Sequence, residues 1–340
     1  MKKTLILFMS ILSMLALSAC GETTIDCETG FILDGSECVI EEKDEPVIVE
    51  EPVVEEEPQQ EDLEDVRNPA LLGIDHDGVV REFILYLPEG IEEDAPLVVM
   101  LHGFSGTATS FMSYTGMNDI ADINKFAVVY PLGSAVSGTT HWNSDLSFTT
   151  VDDVGFLVAM VEYLQVEYNL STENTFVSGH SNGGFMSYTL ACSATGTFKA
   201  IGSYAGLMSG ETWDTCDASE PISILQIHGT SDVVVPNDGT MTTFGGWGGA
   251  PAVLTMLEYW TTLNDTGDVV IDDTNDKVTI YSWKNETTKD IVTYYEIPLQ
   301  SHSWPGDDVI FTDEDTLNDT SQLIWAFFST VIDNEWNGFC

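Results

Sequence analysis

Positive charge is scarce in this chain. Only 10 of its 340 residues are Lys or Arg, against 56 Asp and Glu, so the net charge is −46 at pH 7. Residues 41–65 hold 13 acidic residues and one lysine (net −12), and residues 66–340 hold 38 acidic and 7 basic residues (net −31). Such a surface repels nucleic acid and anionic membrane surfaces, so neither is expected as a partner. It suits a salty medium, in which counter-ions screen the self-repulsion.

The sequence also lacks the patterns of bound cofactors and metal ions. The glycine-rich run Gly245–Gly249 has no strand before it and no lysine after it, as a phosphate-binding loop would require. The acidic clusters Asp272–Asp276 and Asp313–Asp315 lack the ligand spacing of an EF-hand, and we interpret them as solvated turns. No internal repeat is visible. We therefore predict no cofactor and no metal site.

The N-terminal segment has the pattern of a secretory signal. Lys2 and Lys3 precede an apolar run from Thr4 to Leu17, and Leu17-Ser-Ala-Cys20 is typical of a lipobox. Residues 1–20 are predicted to be a lipoprotein signal peptide with Cys20 as the lipidated residue, and the alternative is an ordinary signal peptide that contains a cysteine. The expected location is extracytoplasmic, with the protein lipid-anchored to a bacterial membrane (periplasmic or at the cell surface) or released. The lipid would be its only contact with the membrane.

Cysteine use agrees with an oxidising compartment. Five cysteines remain without Cys20. The natural pairing joins Cys27 to Cys38 in a small loop and Cys192 to Cys216 in the main domain, and Cys340 is then left over. The sequence does not fix this connectivity.

Three regions follow from these patterns. After the signal peptide, residues 21–67 combine a small Cys-containing segment with an acidic stretch rich in Pro and Glu, which we interpret as an extended tether. Residues 68–340 form the one large domain.

Two kinds of apolar segment alternate in that domain. Continuously apolar or alternating segments predict strands, and most are typical of strands buried in a parallel sheet. These strands are at 79–87, 96–101, 126–130, 200–207, 222–227, 277–283 and 291–297, with one more directly before Ser181. Segments with a helical period are at 107–124, 152–168, 252–263 and 320–332, with one more directly after Ser181. The alternation predicts an α/β fold, a single doubly wound, mostly parallel sheet flanked by helices, which fits the α/β-hydrolase arrangement.

The stretch Gly179-His-Ser-Asn-Gly183 has the G-x-S-x-G pattern of a nucleophile elbow. The predicted strand before it and helix after it are the context that such a turn requires. The serine must lie on a sharp, strained turn, and we expect the glycines because a Cβ would collide with the neighbouring strand and helix. Ser181 is therefore the candidate nucleophile.

A serine hydroxyl needs a histidine as its base and a carboxylate to stabilise the imidazolium. In the α/β-hydrolase arrangement the chain order is Ser, then the acid, then His. Of six histidines, only His228 and His302 follow Ser181. Asp232 follows a predicted strand and is the favoured acid, with Asp238 as the weaker rival. His302 is then the base, and His228 has a structural role.

Other residues are expected around this predicted triad. The backbone amides of Phe104, in the loop after a buried strand, and of Asn182 would form the oxyanion hole. Trp142 and Trp304 lie in loops expected near the triad, and Trp247 lies in the glycine-rich run. Each tryptophan is a candidate substrate contact, and the alternative is that its ring packs into its own loop.

Five motifs in matching order resemble the poly(3-hydroxybutyrate) depolymerase and feruloyl esterase group of carbohydrate esterase family 1, which includes lipoprotein members. The motifs are Leu101-His-Gly103, Val151-Asp-Asp-Val-Gly-Phe156, Gly179-His-Ser-Asn-Gly-Gly184, His228-Gly-Thr-Ser-Asp232 with Val234-Val-Pro236, and His302-Ser-Trp-Pro-Gly306. The resemblance covers roughly residues 68–335. It implies a serine esterase with Ser181, Asp232 and His302 as its triad. In relatives a cysteine pair links the matching segments, which corresponds to Cys192 and Cys216.

The expected function is that of an extracytoplasmic serine esterase that forms an acyl-enzyme and needs no cofactor. Its ester substrate is predicted to be a polyester, as in polyhydroxyalkanoate depolymerases, and the alternative is a feruloyl or acetylxylan ester on a polysaccharide. Many depolymerases have a cysteine where this chain has Phe104, which leaves the acyl preference open. The alternative of another class is an inactive, surface-anchored binding protein, against which the complete Ser, His and Asp set argues.

Overall fold

The computed structural model describes residues 31–34, 37–40, 68–304 and 319–333. The chain divides into two compact units, residues 1–59 and residues 60–340. In the first unit, β1 (Phe31–Asp34) and β2 (Glu37–Ile40) form an antiparallel hairpin. The lipidation site at Cys20, the Cys27–Cys38 pair, the tether and Cys340 fall outside the residues described in atomic detail, so those expectations stay predictions.

Ten strands of the second unit form one sheet. In chain order the strands of this unit are β3 (Ala70–His76), β4 (Val79–Tyr86), β5 (Leu97–Leu101), β6 (Ala127–Pro131), β7 (Ser134–Val136), β8 (Thr139–His141), β9 (Thr175–His180), β10 (Ala200–Tyr204), β11 (Ser223–Gly229), β12 (Val270–Asp272), β13 (Thr279–Lys284) and β14 (Ile291–Ile297). The order across the sheet is β12-β13-β14-β11-β10-β9-β5-β6-β4-β3, and β7 and β8 form a separate hairpin. The six central strands, β14 to β6, are parallel, and the two outer strands on each side form antiparallel pairs with their neighbours. The predicted mostly parallel sheet is confirmed.

Helices cover both faces of this sheet. They are α1 (Ala108–Thr115), α2 (Met117–Asn124), α3 (Asp153–Glu167), α4 (Asn182–Ser193), α5 (Gly210–Thr215), α6 (Val253–Leu263) and α7 (Asp319–Asp333). Alternate residues of β5 point to opposite faces, so Val99 packs with α3, α4 and α6 whereas Val98 packs with α1, α2 and α7. Both faces of the central strands are buried, which explains why the sequences of β5 and β6 are continuously apolar.

Several elements differ from the sequence prediction, and the short elements β7, β8, β12 and α5 were not expected at all. The single helix expected at 107–124 is two helices, because Gly116 adopts a left-handed conformation (φ 60°) that ends α1 before α2 begins. Strand β3 was not predicted, because it lies at the edge of the sheet and carries Gly73 and Asp75 among its apolar residues. Among the described residues, none of the helices is both long enough and apolar enough to cross a membrane.

A disulfide joins Cys192, near the end of α4, to Cys216, directly after α5, with 5.3 Å between the Cα atoms. The second predicted cysteine pair is therefore confirmed.

The parallel direction of the central strands places the loops after β5, β9, β11 and β14 at one edge of the sheet. In sheets of this type, sites form outside the carboxyl ends of the strands. The loops that contain Phe104, Ser181, Asp232 and His302 all follow these four strands.

Candidate active site

Ser181 lies at the tight turn between β9 and α4. Its backbone has φ 52° and ψ −118°, a conformation that is strained for any residue with a side chain. The two motif glycines permit the turn: a Cβ on Gly179 would overlap the backbone of Gly183, and a Cβ on Gly183 would overlap the Leu101 carbonyl of β5. The Ser181 N–H donates to the carbonyl of Tyr204 (2.8 Å), which ties the turn to β10.

Three side chains from separate loops form a continuous hydrogen-bonded series. Nε2 of His302 is 2.8 Å from Oγ of Ser181, and Nδ1 of His302 is 2.7 Å from Oδ2 of Asp232. With a proton on Nδ1, the imidazole donates to the carboxylate and its Nε2 accepts the serine proton. The structure therefore brings together all three residues of the triad expected from the sequence, in the geometry that proton transfer from the hydroxyl requires.

The environment of Asp232 keeps its carboxyl group ionised. Burial alone would raise its pKa, but hydrogen bonds from His228 and His302 and from the Val235 amide outweigh burial and hold the pKa well below its usual range. The amides of Val234 and Val235 donate to Oδ1 at 2.9 and 2.8 Å. A permanent negative charge beside Nδ1 of His302 stabilises the imidazolium that forms when Ser181 loses its proton.

The rival residues have other positions. Asp238 is exposed, and its carboxylate accepts hydrogen bonds from the amide and hydroxyl of Thr240 in a surface turn. His228 is fully buried, with Nε2 2.7 Å from the carbonyl of Val235 and 3.5 Å from Asp232. It therefore holds the loop around Asp232, as expected of a structural residue.

Two side chains of the sheet hold the loop that carries His302. Nε2 of His180 donates to the backbone carbonyl of His302 (2.8 Å), and the Tyr204 hydroxyl donates to the carbonyl of Ser303 (2.8 Å). Burial lowers the pKa of His180 to about 4, so this imidazole is neutral at neutral pH. Sequence reasoning missed this role, although His180 is the residue directly before the nucleophile in the motif.

The loop after β5 approaches the nucleophile closely. A Cβ placed on Gly103 would be 3.5 Å from Cβ of Ser181. In this loop the Ser105 amide donates to Thr140 and the Gly106 amide to Gly103, whereas the Phe104 amide has no acceptor in the described part of the chain. Asn182 is the first residue of α4, where a backbone amide has no partner within the helix. The two amides predicted as the oxyanion hole are thus both close to the nucleophile in the fold.

The prediction that Trp142 contacts the substrate is wrong, because its side chain is buried and packs against the loop after β5. The side chain is fully buried because it packs against the ring of His102 (4.9 Å between centroids) and donates from Nε1 to the His102 carbonyl (2.9 Å). The Asn182 side chain bonds to both the amide and the carbonyl of Trp142 (2.7 and 3.0 Å). Burial lowers the pKa of His102 to about 4, and the neutral ring accepts from the Gly133 amide.

The other two tryptophans are partly exposed. Trp304 packs against His180 (5.9 Å between centroids) and Phe111 (5.7 Å). Trp247 packs against Phe104 (6.2 Å) and against Phe185 of α4 (4.9 Å). Both positions are compatible with the predicted contact with substrate, and each ring also packs into its surroundings.

One group of side chains has the donor atoms of a metal site. In the described residues, His76, Asp77 and Asp152 place one ligand atom each within 4.8 Å of one another. Both carboxylates are exposed, and Asp152 is already the N-cap of α3, where it accepts from the Gly155 amide (2.8 Å). Exposed acidic groups of this kind are common without an ion, and we assign no metal to them.

Comparison with known proteins places these features in one family. Residues 81–276, more than half of the chain, match the family described as Esterase PHB depolymerase. The chain is similar to feruloyl esterase C of Emericella nidulans (31% identity over 165 residues, 48% of this chain and 58% of the relative). It is also similar to a bifunctional acetylxylan esterase/xylanase of Neocallimastix patriciarum (28% over 158 residues, 46% of this chain and 22% of the relative).

The aligned part thus spans less than two thirds of these curated relatives. Among solved structures, an acetyl xylan esterase from Aspergillus awamori has the same fold, with a TM-score of 0.56 and 14% identity over 76% of this chain and 99% of that one. The α/β-hydrolase fold expected from the sequence is confirmed, and the chain belongs to the Esterase PHB depolymerase family.

Proposed function

We propose that this protein is a serine esterase that hydrolyses carboxylic esters through an acyl-enzyme. The observation that carries the proposal is the hydrogen-bonded series from Ser181 through His302 to Asp232, with the serine on a strained turn. Membership in an esterase family supports it. The complete triad argues against the alternative of an inactive, surface-anchored binding protein.

The reaction follows from these positions. Oγ of Ser181 attacks the ester carbonyl carbon while its proton moves to Nε2 of His302, and the amides of Phe104 and Asn182 donate to the developing oxyanion. When the tetrahedral intermediate collapses, the imidazolium of His302 gives its proton to the leaving alcohol. Water then attacks the acyl-enzyme, with His302 as its base, and releases the acid and the free serine. Asp232 stays ionised throughout.

Two substrate classes remain as candidates. The family's description favours a polyester such as polyhydroxybutyrate, which was the preference from the sequence. The names of the curated relatives favour a feruloyl or acetyl ester of a polysaccharide. Trp304 and Trp247 are the proposed contacts for either substrate.

We propose an extracytoplasmic location. The Cys192–Cys216 disulfide supports it, because such bonds persist in oxidising compartments. The lipobox at Cys20 is the basis for proposing a lipid anchor on a bacterial membrane.

A panel of esters tests the proposal. Methyl ferulate, acetylxylan and amorphous polyhydroxybutyrate are incubated side by side with the protein, and product release is measured. We expect release from at least one of them, together with stoichiometric labelling of Ser181 by an alkyl fluorophosphonate. A protein that releases no product from any ester and takes up no label is not a serine esterase.

A further inference from the structure

A buried ion pair joins the outer part of the sheet to the start of α3. Arg81 of β4 and Asp153, the first residue of α3, are both buried. Nη2 of Arg81 is 2.6 Å from Oδ1 of Asp153, and the guanidinium carbon lies 4.0 Å from the centre of the Phe156 ring. A buried ion pair is seldom worth more to stability than an apolar pair of similar volume. This pair therefore calls for a role other than stability.

The second oxygen of the Asp153 carboxylate holds the segment that follows β8. The backbone amide of Asn143 donates to Oδ2 at 2.7 Å. The Asn143 side chain closes its own loop, because Oδ1 accepts from the Leu146 amide (3.0 Å) and Nδ2 donates to the Val151 carbonyl (2.7 Å). The ion pair thus fixes the residue directly after Trp142.

Trp142 is hydrogen-bonded to both halves of the proposed oxyanion hole. Its backbone amide and carbonyl bond to the side chain of Asn182 (2.7 and 3.0 Å), whose own amide is one proposed donor. Its Nε1 donates to the carbonyl of His102 (2.9 Å), two residues before Phe104, whose amide is the other proposed donor. A shift of Trp142 would therefore displace both amides relative to Ser181.

We propose that the ion pair of Arg81 and Asp153 positions the two oxyanion amides, and that it acts through residues 142–143. This inference rests on the proposed esterase function. Arg81 and Asp153 are positioning residues, because they act on the reaction through other residues. The inference also gives a role to the Val151–Phe156 motif, which lies outside the triad. Such positioning matters because oxyanion donors are effective only when they are held in place before the reaction.

Two double variants test the inference. Arg81→Met with Asp153→Leu removes the ion pair without leaving a buried charge, and it also removes the acceptor of the Asn143 amide. Arg81→Met with Asp153→Asn removes the same charges but keeps an acceptor for that amide. With p-nitrophenyl butyrate, the variant with leucine should lose kcat by about 10²-fold while KM stays within about twofold of the native value. The variant with asparagine should recover most of this loss.

A thionoester distinguishes a displaced oxyanion hole from general damage. Sulfur in place of the carbonyl oxygen is a weak acceptor, so the thionoester gains little from the two amides. The ratio of kcat/KM for the ester to that for its thionoester should therefore fall by about tenfold or more in the variant with leucine. Asn285→Ala should keep the native ratio. Asn285 is the matched control because it is buried, bonds to the Asn264 carbonyl (2.9 Å) and lies before β14, at the end of the sheet away from the triad.

The outcomes separate the inference from the proposed function. A folded leucine variant with the native kcat, or with a lower kcat but the native ratio of ester to thionoester, overturns the inference and leaves the esterase intact. If that variant does not fold, Asp153→Glu decides. It keeps the charge but moves the carboxylate by one methylene, so the ratio should fall, and a native ratio overturns the inference. Failure of the native protein to hydrolyse p-nitrophenyl butyrate refutes the esterase itself.

Discussion

Two histidines near Ser181, the buried His102 and the half-buried His180, predict that mild acid destabilises the fold. Burial lowers the pKa of His102 and of His180 from the ordinary 6.5 to about 4. As the pH falls through 6.5, both histidines take up protons in the unfolded chain but not in the folded one. The unfolded state therefore binds more protons between about pH 6.5 and pH 4, so the free energy of unfolding decreases as the pH falls through this window.

The two pKa values set the size of the effect. The difference between 6.5 and about 4 corresponds to about 3 kcal/mol for each histidine once both states are protonated. At pH 5 each histidine lowers the free energy of unfolding by roughly 2 kcal/mol relative to its value above pH 6.5. That is a large part of the stability of an ordinary domain.

Urea unfolding at pH 8 and pH 5, at constant salt, measures this loss. Carboxylates also titrate near the lower pH, so the informative quantity is the difference between the native protein and His180→Gln. Glutamine does not titrate, and it keeps an N–H that is able to donate to the His302 carbonyl. Between pH 8 and pH 5, the free energy of unfolding of the variant should fall by roughly 2 kcal/mol less than that of the native protein. Equal losses would refute the reasoning, because His180 would then not be held neutral in the folded state.

Three further predictions follow from the site and the disulfide. Asp232→Asn should lower kcat for p-nitrophenyl butyrate by about 10⁴-fold, whereas Asp238→Asn should stay close to the native rate. Comparable losses of kcat in the two variants would show that Asp232 is not the acid of the triad. Replacing Cys192 and Cys216 together by alanine should lower the free energy of unfolding by about 3 kcal/mol in urea, and an unchanged midpoint would contradict this. Gly183→Ala should cost roughly 2 kcal/mol or more of stability, because its Cβ overlaps a β5 carbonyl; a thermal midpoint equal to the native one would argue against the tight elbow.

Much of the fold was predictable because it depends on local pattern. The central strands β5 and β6 are buried on both faces, so their sequences are continuous apolar runs, as in Leu97–Leu101. The grouping of Ser181, Asp232 and His302 followed from chain order and from the shared edge of a parallel sheet. Edge strand β3 has no such pattern, since after Ala70 its residues alternate between exposed and half-buried and include Gly73 and Asp75.

The supporting residues were less predictable because their roles depend on contacts that are distant in sequence. Trp142 and Asn182 are 40 residues apart, and only the fold shows that their hydrogen bonds join the first turn of α4 to the segment after β8. His180 contacts a carbonyl 122 residues away. A tryptophan in a loop gives no sign of whether it faces the ligand or the core, which is why Trp142 was assigned wrongly.

The most direct test of the account is the turnover of p-nitrophenyl butyrate by the native protein and by Ser181→Ala. Both proteins are first shown by circular dichroism and thermal unfolding to be folded. We predict that the native protein hydrolyses the ester and that the variant loses activity by at least about 10⁴-fold. Equal activity in the two proteins, or none in either, would contradict the assignment of Ser181 as the nucleophile.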